Sequence, residues 1–365
     1  MAIVLFSRRF VTRLTLLGRR TSVGLIGLVA IALGCTRSSA TDPFLPSGDR
    51  LKFQTQITNV VAGQLLAPFK IQIVDTGGAV VSRENVDIAL SLDSTDPRDT
   101  LFGQTVVATT RGEALFVNVF LKRSVASMRV VATARGLTGA VSLPFAISVG
   151  TPAKLAFKVQ PSAVVAGEKM VPPPQVVVQD AVGNLIANDS GLVVLQVLTG
   201  PSTAPRNATV SAVNGVARYD SLRIVTAAPS FTLTAVGPAG RNLAAAVSTV
   251  FSVTPGAAAK LFFQTQPSTS VVNTAMSPAV TVAVADTMSN IVTSFAGPVA
   301  LAFDINPTGA TLGGTTTVSA ISGVATFSGL SINLTSGGTS GYRLRATAAA
   351  VPADTARSGF FSIVP

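Results

Sequence analysis

What most constrains this chain is that it repeats itself. Arg50 to Ile57 (RLKFQTQI), Lys154 to Pro161 (KLAFKVQP) and Lys260 to Pro267 (KLFFQTQP) are copies of one motif, starting 104 and then 106 residues apart. Four further landmarks follow in the same order each time. A β-rich stretch ends in Asp75, Asp180 or Asp286, and a segment then opens at Gly112, Gly215 or Gly323. An alternating run follows at Met128 to Thr133, Phe231 to Ala235 and Tyr342 to Ala346. An apolar run closes each unit at Phe145 to Val149, Phe251 to Val253 and Phe360 to Val364. A period of this length marks tandem copies of one folding unit. The units span about 50–150, 151–256 and 257–365, joined by short Pro/Gly linkers at Gly150 to Pro152 and Thr254 to Gly256.

Within a unit the hydrophobic period is two. Phe231, Leu233 and Ala235 alternate with Thr232 and Thr234, and Tyr342, Leu344 and Ala346 alternate with Arg343 and Arg345. That alternation specifies a strand with one buried face. No stretch beyond residue 49 carries a sustained helical stripe. About seven short strands per hundred residues predict an all-β fold of three tandem immunoglobulin-like antiparallel β-sandwich domains. With charged residues at only 12% and no disulfide within reach of a single cysteine, each unit must be held by its apolar core.

The opening F-x-x-Q-P, the V-x-V-x-D-x-x-G-N segment and the G-V-A-x-F strand start are clearest at Phe157 to Pro161, Val176 to Asn184 and Gly215 to Tyr219. They resemble the bacterial Ig-like domains of invasin- and intimin-type surface proteins, across essentially all of 50–365. The first unit departs from the pattern at Ile57 and Ala79, and the third at Ser289. The resemblance implies a stalk or adhesive module.

The first 35 residues differ in kind. Arg8, Arg9, Arg13, Arg19 and Arg20 precede an apolar run from Thr21 to Leu33, then Gly34 and Cys35. The run is too short to span a bilayer and fits the core of an export signal. Ala32-Leu33-Gly34-Cys35 resembles a lipobox, which implies a signal peptide at 1–34, lipid attachment at Cys35 and a polar tether at 35–49. Thr36 is not the Asp that marks inner-membrane retention, so the expected location is the outer membrane or cell surface. Without residues 1–34 the net charge falls from +11 to +6 and is spread along the chain. No basic stripe of the kind that nucleic acid requires is present.

Catalysis is disfavoured by elimination. The chain has no His, which removes His-based triads and histidine-ligated zinc. Glu84, Glu113 and Glu168 are its only glutamates, and no phosphate-binding loop occurs. No cofactor or metal is expected. Asp75, Asp180 and Asp286 recur where a calcium ion could sit between domains. Asp followed three residues later by Gly78, Gly183 or Ser289 instead predicts a tight turn capped by the carboxylate. Asp93, Asp96 and Asp99 form the one acidic cluster, and its spacing lacks the Gly and terminal Glu of a calcium loop, so a solvated loop is expected. Phe53, Phe157 and Phe263 are expected in the cores. Two functions stay open at this point. One is a non-catalytic, lipid-anchored structural or adhesion protein that meets a cell-surface protein or polysaccharide. The other is a carbohydrate- or polymer-binding accessory lipoprotein, which would need exposed aromatics such as Tyr219 or Tyr342.

Overall fold

A computed structural model describes residues 48–201, 203–338, 341–351 and 354–365. The expected signal peptide, the expected lipid attachment at Cys35 and nearly all of the expected tether lie outside the described residues. Those described contain strands and turns but no α-helix, and so no helix long and apolar enough to cross a membrane.

Each unit builds one three-stranded sheet from its opening motif. Arg50–Phe53 pairs antiparallel with Phe69–Val74, which pairs with Glu113–Phe116. The second unit repeats this with Lys154–Val159, Gln175–Gln179 and Val216–Arg218, and the third with Lys260–Thr265, Val280–Ala285 and Val324–Phe327. The facing sheet centres on the alternating strand. Val130–Thr133 pairs with Asp87–Leu92, Ala228–Val236 with Leu192–Thr199, and Arg343–Thr347 with Pro298–Ile305.

The period-two pattern places its apolar residues between the sheets. Leu233, Ala235, Leu344 and Ala346 are completely buried, as are Val176 and Val178 from the opposite sheet. Three separate apolar clusters result, drawn from Leu51 to Ile147, Leu155 to Val253 and Leu261 to Ile363. Phe53 and Phe263 are buried in their clusters, and Phe157 packs against its own. Tyr219 and Tyr342 are also interior. The Tyr219 hydroxyl donates to the Val193 carbonyl at 2.9 Å, which satisfies the polar end of an otherwise apolar side chain.

The sandwiches are not purely antiparallel. In each, a short segment after the opening strand crosses to the other sheet and pairs parallel with the closing strand: Val60 with Ile147, Val164 with Val253 and Ser270 with Ile363. The reason is directional. When about seven strands alternate in direction, the first and last run the same way, so where they meet they pair in parallel. In the closing run of the third unit, Phe361 faces the core and Phe360 faces solvent.

Candidate functional site: the junctions between sandwiches

The recurring Asp opens a tight turn in every unit. The Gly78, Gly183 and Ser289 amides donate to the Asp75, Asp180 and Asp286 carbonyls at 3.1, 3.2 and 3.0 Å. The fourth residue turns left-handed, with φ of +90° at Gly78, +104° at Gly183 and +70° at Ser289. Glycine adopts that conformation freely, whereas a side chain there costs about 1–2 kcal/mol.

In the second and third units the same Asp does more than cap its turn. Asp180 and Asp286 are only 1% exposed. Oδ1 of Asp180 accepts from the backbone amides of Val182, Gly183 and Asn184 at 3.0, 2.8 and 2.8 Å. Its Oδ2 accepts from the linker amide of Gly150 at 3.1 Å and from Nδ2 of Asn184 at 2.8 Å. Asn184 then reaches into the preceding sandwich. Its Nδ2 donates to the Lys122 carbonyl at 2.7 Å, and its Oδ1 accepts from the Ser124 amide at 2.9 Å.

The second junction repeats this arrangement with one fewer amide on Oδ1. Asp286 accepts from Met288 and Asn290 amides through Oδ1, and from Gly256 and Nδ2 of Asn290 through Oδ2, all at 2.8–2.9 Å. Asn290 donates to the Val225 carbonyl at 2.8 Å and accepts from the Ala227 amide at 2.7 Å. Each clamp therefore ties three pieces together: the turn, the linker and a loop of the sandwich before it. In the first unit the corresponding carboxylate of Asp75 accepts from the Ala79 amide, and Ala79 has no amide side chain to extend further.

An apolar contact accompanies each clamp. Val182 packs against the core of the first sandwich. A Cβ built on Gly63 would lie 2.7 Å from Cγ1 of Val182, and one on Gly167 would lie 3.4 Å from Cε of Met288. Both glycines have φ of +82°. The third unit carries Asn273 at that position, also left-handed at +61°. Glycine thus occurs where the next sandwich leans in.

Burial alone would raise the Asp180 carboxyl. The Asn184 side chain and the amides of Gly150, Asn184 and Gly183 outweigh it and hold the group below the usual carboxylate range. Asp286 is lowered in the same way, burial being opposed by Asn290 and the amides of Gly256, Asn290 and Met288. These carboxylates are ionised at neutral pH with their oxygens occupied by N–H donors, an arrangement that leaves little for a cation. Among the described residues no group of three or more potential ligands is assembled for a metal.

The acidic cluster is occupied by arginines. Asp96 holds Arg98 and Arg123, and Arg123 also meets Asp99, whose carboxylate accepts from the Ser94 hydroxyl. Hydrogen bonds from the Arg98 side chain and backbone lower the Asp96 carboxyl strongly. Tyr219 and Tyr342 are 1% and 0% exposed, so neither offers a sugar a stacking face. Of the aromatic side chains, Phe262 and Phe360 are the exposed ones among the described residues, at 37% and 54%.

No protein-family model matches the chain, and no curated protein matches it. Solved structures do resemble it. The FdeC adhesin of Escherichia coli aligns at 16% identity and a TM-score of 0.29, covering 87% of this chain and 97% of that one. The human desmocollin-1 ectodomain aligns at 10% identity and a TM-score of 0.30, covering 86% and 59%. A β-glucuronidase of Bacteroides uniformis aligns at 15% identity and a TM-score of 0.21, covering 56% and 25%. None of these likenesses bears on what this chain binds or does. The fold itself is all-β, with three tandem immunoglobulin-like sandwiches.

Proposed function

We propose that this chain is a non-catalytic, lipid-anchored surface protein whose three sandwiches act as a stiffened spacer for adhesion, of the invasin/intimin type. One observation carries the reading: the same Asp–Asn clamp, holding the linker amide and two backbone groups of the preceding sandwich, recurs at both junctions. Two sandwiches on free linkers would need no such device, whereas a spacer that transmits position or load does. The Arg8 to Cys35 segment supports export and anchoring, and the absence of His together with the saturated buried carboxylates supports a non-catalytic role. The test is mass spectrometry of the mature N-terminus from membranes, with antibody labelling of intact cells. An acylated Cys35 and surface labelling are expected. A free N-terminus downstream of Cys35, or label excluded from intact cells, would overturn the anchor and the surface location respectively.

A further inference from the structure

The outer face of the third sandwich differs from its two counterparts in a way that its own fold does not require. On the strand Arg343–Thr347, residues 343, 345 and 347 point away from the core, and Arg345 lies directly opposite Arg357 on the neighbouring strand. At the same register the first sandwich pairs Val131 with Val141, and the second pairs Thr234 with Val247. Like charges placed opposite one another in a sheet repel. Arg343 and Arg357 share the single carboxylate of Asp304, while Arg345 is exposed and has no ion-pair partner among the described residues. Three arginines thus lie on the outward face of one strand pair, at backbone positions about 7 Å apart along the strand and about 5 Å across it, against one negative charge. Beside them the Phe360 ring is 54% exposed, with the Arg343 guanidinium 5.1 Å from its centroid.

From this juxtaposition we infer that the face formed by Arg343, Arg345, Arg357 and Phe360 binds an acidic polysaccharide. Guanidinium forks match carboxylate and sulfate groups in two-point contacts. The Phe360 ring offers an apolar surface to a sugar face. A single-stranded nucleic acid is the weaker match, since it draws on several aromatic platforms along a basic groove, and only one ring stands here. The inference goes beyond the spacer reading and does not depend on the clamps.

The test uses the full chain in detergent and the double variant R345T/R357V. Those substitutions install the Thr and Val that the second sandwich carries at the same register, so the sheet is retained, as circular dichroism would show. Binding is measured to heparin and polygalacturonate, with dextran as the uncharged polymer and oligo(dT) as the nucleic acid. The wild-type chain should bind both acidic polymers and not dextran, and the variant should lose about tenfold or more in affinity, as expected for charged hydrogen bonds removed. Equal binding by variant and wild type, no binding to either acidic polymer, equal binding to dextran, or tighter binding to oligo(dT) would each overturn the inference. Loss of the clamps through N184A/N290A should leave this binding unchanged, which separates its failure from that of the spacer.

Discussion

Replacing Asn184 with Ala should uncouple the first two sandwiches without unfolding either. The side chain makes two hydrogen bonds across the junction, to the Lys122 carbonyl and from the Ser124 amide, and a third to Asp180. A hydrogen bond contributes about 0.5–1.5 kcal/mol net, so the two across the junction are worth about 1–3 kcal/mol. The site is half-buried and water can replace part of what is lost, which places the effect toward about 1–2 kcal/mol. That corresponds to a shift of roughly 5- to 30-fold in the docked-to-undocked ratio. The assay is a distance distribution between spin labels at Thr133 and Thr209, exposed positions on the two sandwiches, in a Cys35→Ser background. The parent should give one narrow distribution and Asn184→Ala a broad one, while the thermal transitions of the sandwiches persist. An unchanged distribution in Asn184→Ala would refute the reasoning.

Because the Asp180 and Asp286 carboxyls are lowered in the folded chain, the stability they lend is present above the ordinary carboxylate value. It is lost as pH falls through the folded value. Label distances should therefore stay constant from about pH 5 to 8 and broaden only below about pH 4; broadening near neutrality would contradict this. Ser289→Gly removes a side chain from a left-handed position, with φ of +70°, and should raise the stability of the third sandwich by about 0.5–1 kcal/mol in urea unfolding. Gly63→Ala should loosen the first junction, since its new methyl would meet Val182, and adding Val182→Ala should restore part of the loss in a double-mutant cycle on label distances.

The all-β class is legible because alternation such as Phe231-Thr232-Leu233-Thr234-Ala235 has no helical interpretation. The tight turns are legible because Asp180 and Gly183 stand at the offsets that a turn demands. The clamps are not legible in the same way. Asn184 finds its partners 62 and 60 residues back, and those partners are backbone groups of Lys122 and Ser124, which leave no mark on side-chain identity. A fainter signal does exist in the comparison of copies. Asn184 and Asn290 stand at the two junctions, where the first unit has Ala79, and Gly63 and Gly167 stand opposite them on the preceding sandwiches, where the third unit has Asn273. The inward member of the adjacent Phe360 and Phe361 is not legible, because a run of apolar residues has no period; in the structure Phe361 and Ile363 share the buried face.

The central claim is that a side chain from each later sandwich holds a backbone amide of the one before it. Amide hydrogen exchange at Ser124 and Ala227 measures this directly, since both amides donate to the Asn184 and Asn290 side chains. The account predicts slow exchange at both, with Asn184→Ala releasing Ser124 alone and Asn290→Ala releasing Ala227 alone. Exchange at the rate of an unprotected amide in the parent chain would contradict it.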